Sequence, residues 1–199
     1  MELKARLERV IKDWNLLDHP FYQSWRAGDL PMENLAAYAR EYGSWIRLLP
    51  EGWAAVGDEA TAAEEREHAM LWDSFASSLD TAVDAPETGR VEALLTRAEE
   101  CFANVPSALG ALYAFESQQP HTTASKLEGL RLHYDLGAAA ETYFIVHEGD
   151  DHESDEILER IAALDPAEQQ LAVQACETMA MHLWDALTAV TPRSMQAAV

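Results

Sequence analysis

Apolar residues recur along this chain at the three- and four-residue steps of an α-helix rather than in the alternation of a strand. Leu3, Leu7, Val10, Ile11, Trp14 and Leu17 form one such stripe over residues 2–17. A short helix opens at His19-Pro20, runs through Trp25 and ends near Gly28. Leu30-Pro31 opens a third, with proline in its first turn. It runs through Tyr38, Tyr42 and Trp45 and continues past Pro50 towards Val56, with a kink expected at the proline. Helices are predicted over about 60–79, about 88–103, and from Val105-Pro106-Ser107 through Gln118, with residues 78–89 as a loop. Pro120 marks a break, after which helix resumes to about His133. Residues 138–160 read as one helix with Gly149 as its weak point, and Asp165-Pro166 caps a last helix to about Val190. This is an all-α pattern in one domain, residues 1–190, with a tail over 191–199 expected to fray.

Composition agrees. Alanine, leucine and glutamate dominate and β-branched residues are sparse, which favours helix over sheet. The 199 residues suffice for one well-buried core, and 48% hydrophobic content argues against disorder. No run of about twenty apolar residues occurs, so no membrane span is expected. The opening MELKARLERVIKDW lacks a signal-peptide core, which points to the cytoplasm. A formal charge of −21 with 14 Lys and Arg argues against nucleic acid and anionic membrane surfaces as partners. The acidic surface reads as a solvation device and, with few lysines, hints at a salt-adapted source. Those lysines are Lys4, Lys12 and Lys126, and only Lys126 lies outside the first helix. Cys101 and Cys176 are far apart in no metal-type spacing, as free thiols in a reducing compartment would be.

Three segments carry candidate chemistry. His147 and Asp151 stand at i, i+4, which on a continuous helix puts both on one face, where they could grip one ion. Imidazole with carboxylate suits iron or manganese over zinc; the plainer alternative is an exposed acidic helix. Glu116 follows the apolar run Ala111-Leu112-Tyr113-Ala114-Phe115, where a carboxylate is costly unless paired or metal-bound. Asp58-Glu59 lies upstream of His68, which precedes Leu71, Trp72 and Phe75. Carboxylate and imidazole from three helices is the recipe for a di-metal carboxylate site. The ferritin-like version uses two Glu-x-x-His motifs. Only Glu65 with His68 matches, so that arrangement falls behind.

The segment Asp18-His19-Pro20-Phe21-Tyr22 through Leu30-Pro31, then Tyr38-Ala39-Arg40-Glu41-Tyr42, resembles the opening of haem-oxygenase-like proteins of the TenA/PqqC/CADD group. Leu112 to Pro120, Lys126, Gly129-Leu130 and Tyr143-Phe144-Ile145-Val146-His147 extend the resemblance over roughly residues 5–190. It is strongest to the CADD-like branch, named for the chlamydial protein associating with death domains, among the haem-oxygenase-like di-metal oxidases. That resemblance implies a haem-oxygenase-like bundle of about seven helices. It also implies two metal ions, Fe and/or Mn, with dioxygen as co-substrate. Carried over, the metal ligands are Glu59, His68, Glu116, His147 and Asp151, with Asp58 competing with Glu59. The last histidine of the family's His-x3-Asp-x2-His run falls on Ser154, which leaves the sixth ligand between neighbouring His152 and none.

The same branch is thought to make para-aminobenzoate, the folate precursor, by oxidising one of its own tyrosines, with a lysine as amine donor. The matching residues are Tyr22, Lys126, the helper Tyr143, and Tyr38. The resemblance further implies a homodimer and leaves an external reductant as an option. The alternatives are a di-metal oxidase acting on an external amino or fatty acid, or a TenA-like thiamin-related protein. The latter needs a nucleophilic cysteine, and neither Cys101 nor Cys176 lies in a matching motif. Haem degradation needs a proximal histidine, a poor role for His19 in its turn before Pro20.

Overall fold

The computed structural model describes residues 2–148 and 152–196, and these contain helices and no strand. In chain order the helices are α1 (Leu3–Asp13), α2 (Pro20–Ala27), α3 (Met32–Ala55), α4 (Glu59–Ser77), α5 (Gly89–Phe102) and α6 (Val105–Glu116). They continue with α7 (Gln119–His133), α8 (Thr142–Val146), α9 (His152–Ala162), α10 (Pro166–Val190) and α11 (Arg193–Gln196). Short 3₁₀ turns cover Leu16–Asp18 and Ala138–Ala140.

Side-chain caps set many of the starts. Asp58, Thr88 and Asn104 accept from the backbone N–H of Thr61, Val91 and Ser107 at the heads of α4, α5 and α6. Asp165 and Glu168 form a capping box on α10. Each such cap is worth about 1 kcal/mol. α3 passes through Pro50 without ending.

The centre of the molecule is the pairing of α6 with α10, flanked by α3 on α4, α9 on α6, and α7 and α4 on α8. Every residue of α6 from Ala108 to Glu116 is buried. Gly110 permits the close approach: a Cβ there would strike the carbonyl of Ala172 on α10. A carboxylate at the end of such a helix, Glu116, is therefore delivered to the interior by packing alone.

Two departures from the sequence expectation bear on function. α6 stops at Glu116 rather than Gln118, and α7 restarts at Gln119 with Pro120 in its first turn; proline has no N–H to continue the helix before it. Residues 138–160 do not form one helix. α8 ends at Val146, His147 is its C-cap with φ −104° and ψ 2°, and α9 begins at His152. The continuous helix behind the same-face argument for His147 and Asp151 is therefore absent, and Asp151 itself lies outside the described residues. In the tail, expected to fray, Arg193–Gln196 form α11 and the Met195 sulfur accepts from the Ser24 hydroxyl.

Candidate metal centre and the tyrosine–lysine cluster beside it

Glu65, His68 and His147 present ligand atoms that all lie within 4.8 Å of one another. Glu65 and His68 are one turn apart on α4, with His68 Nδ1 3.0 Å from Glu65 Oε1. His147 enters from the end of α8, its Nε2 3.9 Å from the same oxygen. Its Nδ1 donates to the carbonyl of Tyr143 at 2.7 Å, which fixes the ring with Nε2 facing the cluster.

Among the described residues three carboxylates are buried, and their surroundings differ. Glu41 accepts from the backbone N–H groups of Glu87 and Thr88 and from the Thr88 hydroxyl. Glu65 and Glu116, 2% and 4% exposed, each keep a buried oxygen with no hydrogen-bond partner among the described residues. Burial pushes the Glu116 carboxyl well above the usual range, and the charges of Glu65 and Glu153 push it further. Burial acts the same way on Glu65, but hydrogen bonds and charge from His147 and His68 outweigh it and hold its carboxyl below the usual range. The bond to Glu65 in turn raises the His68 imidazole. A buried carboxylate between two imidazoles, with a second buried carboxyl in its electrostatic reach, is the donor set of a divalent cation with mixed oxygen and nitrogen preference. The residues fit such an ion.

Of the residues expected from sequence, His68 and His147 meet here, and Glu116 lies buried within electrostatic reach of Glu65. Glu59 does not. It sits in the first turn of α4, 76% exposed, 4.0 Å from Arg66. Six residues from Glu65, it points about 120° away around the helix. Asp58 is occupied as the N-cap of α4. His152 is the first residue of α9 and exposed, outside the cluster. Glu65, not among the expected ligands, is the carboxylate that lies with His68 and His147. The signal was legible as the single Glu-x-x-His match, set aside because no second copy exists.

Beside this centre lies a second cluster. Tyr22, Tyr38, Tyr143 and Lys126 are each 3% exposed or less. Tyr22 and Tyr38 share a hydrogen bond of 3.0 Å between hydroxyls, and Lys126 Nζ donates to Tyr38 at 3.5 Å. The same nitrogen lies 5.3 Å from the ring centres of Tyr22 and Phe144. Lys126 has no salt bridge to a carboxylate among the described residues, and burial lowers its pKa to about 7, so a large share is free amine near neutrality. Burial pushes all three phenols up. Tyr143 joins the two clusters. Its ring packs on His147 at 4.4 Å and edge-on to Trp72 at 4.8 Å, and its hydroxyl accepts from Gln119 at 2.8 Å. Trp72 also contacts Tyr38 at 5.4 Å. His19 is engaged elsewhere, its Nδ1 accepting from the Phe21 N–H and its Nε2 3.0 Å from the Thr188 hydroxyl.

No protein-family model matches the chain. Among solved structures, a domain with a haem-oxygenase-like fold from Shewanella denitrificans superposes with a TM-score of 0.79 at 20% identity, covering 96% of this chain and 92% of that one. A CADD-like protein from Nostoc punctiforme superposes at 0.66 with 17% identity, covering 97% of both chains. These two establish the fold as haem-oxygenase-like. In sequence, the 4-aminobenzoate synthase of Nitrosomonas europaea is 31% identical over 226 residues, spanning 94% of this chain and 90% of the relative. With that identity over nearly the whole length, the chain belongs to the 4-aminobenzoate synthase family of haem-oxygenase-like proteins.

Proposed function

We propose that this protein makes 4-aminobenzoate from its own residues, with Tyr22 as the ring source and Lys126 as the nitrogen source. The observation that carries this reading is the sealed contact of Tyr22, Tyr38 and Lys126 beside a buried carboxylate–imidazole cluster. Glu65, His68, Glu116 and His147 would hold iron, manganese or one of each; Asp151 belongs to the same proposal. When bound, such ions supply the dioxygen chemistry that no side chain performs. The side chains do the rest. Lys126 offers a free amine over the Tyr22 ring, Tyr38 accepts and passes the Tyr22 hydroxyl proton, and Tyr143 fills the gap between centre and phenols. Burial of all four excludes water from the reacting groups.

The tight packing of these phenols and amine favours protein-derived over external amino or fatty acid substrates. The thiols lend nothing to a thiamin-related reaction, since burial pushes both Cys101 and Cys176 up and away from thiolate. A cytoplasmic homodimer served by an external reductant is part of the same proposal; among the described residues no helix is long and apolar enough to cross a membrane.

The test uses protein made with ring-labelled tyrosine, supplied with ferrous and manganous ions, reductant and dioxygen. Labelled 4-aminobenzoate from the wild type, and none from Tyr22→Phe that still binds metal, is the expected result. Unlabelled product drawn from added small molecules, or full product from Tyr22→Phe, sinks the reading.

A further inference from the structure

We propose that Glu153 is a ligand of the cation centre, closing it from α9 with a carboxylate. The inference rests on the centre's being a metal site, as in the proposed function, and adds a residue to it. α9 presents one stripe to the interior: Ile157 and Ile161 are fully buried, one turn apart, against α6. Glu153 stands one turn before Ile157 on that stripe and is half-buried, whereas His152, rotated by about 100°, is exposed. The stripe runs along α6, and α6 ends on Glu116. Glu153 thus extends the inner stripe of α9 by one turn, alongside the helix that ends on Glu116.

Electrostatics agree with this placement. The charge of Glu153 acts on Glu116 at the end of α6 and on His68 in α4, two residues from different helices. Glu153 is thus in electrostatic reach of Glu116 and His68, and a buried oxygen of Glu65 and one of Glu116 lack a hydrogen-bond partner among the described residues. Like charges gathered in a poorly solvated place are costly without a cation between them.

A purely structural alternative exists, since an acid in the first turn of a helix stabilises that helix through its dipole. Manganous ion separates the two. Binding to the metal-free protein would be followed anaerobically by electron paramagnetic resonance of free Mn²⁺, and by the Mn²⁺-induced rise in melting temperature. The wild type, Glu153→Gln, His152→Asn and Glu65→Gln are compared. Ligation by Glu153 predicts at least about tenfold weaker binding in Glu153→Gln, with a smaller melting shift and His152→Asn unchanged, since even outer-shell changes cost 10–100-fold. Wild-type affinity in Glu153→Gln alongside a loss in Glu65→Gln overturns this inference and leaves the metal reading standing. No uptake of Mn²⁺ or Fe²⁺ by the wild type overturns both.

Discussion

In the proposed reaction Lys126 is a residue that trades stability for reactivity. Its amine is buried among rings with the Tyr38 hydroxyl as its acceptor, and its pKa falls from 10.5 to about 7. The unfolded chain takes up a proton below about pH 10.5 that the folded chain resists until about 7, so this residue's contribution to stability declines as pH falls across that window. Lys126→Met should therefore stabilise the protein at pH 7, by about 2–4 kcal/mol in denaturant melts, while abolishing 4-aminobenzoate. Loss of stability instead would show that the amine has partners it needs. A free-amine requirement also predicts product formation that rises through about pH 7 and then levels, measured as single-turnover yield. Glu65 is the counterpart among acids. Glu65→Gln removes the charge between two imidazoles and should lose Mn²⁺ binding about tenfold or more while the fold persists in circular dichroism.

At the scale of elements, closely packed and tethered helices hold these residues in place. Gly110 sits where α6 meets the Ala172 carbonyl of α10, so Gly110→Val must push the two central helices apart. A destabilisation of about 2–4 kcal/mol is expected by chemical denaturation, and a change under about 0.5 kcal/mol would mean the pair yields easily. α2, which bears Tyr22, is tied at its head by His19, whose neutral ring bridges the Phe21 N–H and the Thr188 hydroxyl of α10. Burial holds that imidazole at about 4 against a usual 6.5. The unfolded chain protonates first, so stability falls as pH drops below about 6.5 and the loss is complete below about 4, amounting to no more than about 3 kcal/mol. His19→Asn keeps a cap and removes the titration; its stability curve between those pH values should be flatter than the wild type's.

At the scale of the molecule, the charge of −21 is spread over a 199-residue surface while the reactive groups are buried. Self-repulsion of that surface should make the metal-free protein more stable in salt, as screening shortens from about 30 Å at 0.01 M to about 3 Å at 1 M. A rise of several degrees in melting temperature is expected at roughly 3 °C per kcal/mol. A flat or falling curve would place the acidic groups in compensating pairs.

Helical periodicity, prolines at helix starts and polar caps determined by themselves the all-α character and most helix positions, because those signals are local in the chain. The candidate site residues were partly legible: His68, Glu116 and His147 stand out by their neighbours, whereas Tyr22, Tyr38, Tyr143 and Lys126 came only through the resemblance to a family. Which carboxylates serve them was not legible. Glu59 and Glu65 differ by less than two turns in the chain, and only the packing of α4 turns one to solvent and the other inward. His147 and His152 looked like parts of one helix, but the break after α8 lets His147 swing to α4 and gives α9 its own register, with Glu153 on the inner face. Rotation about a helix axis is decided by what covers each face, and that is a property of the assembled bundle.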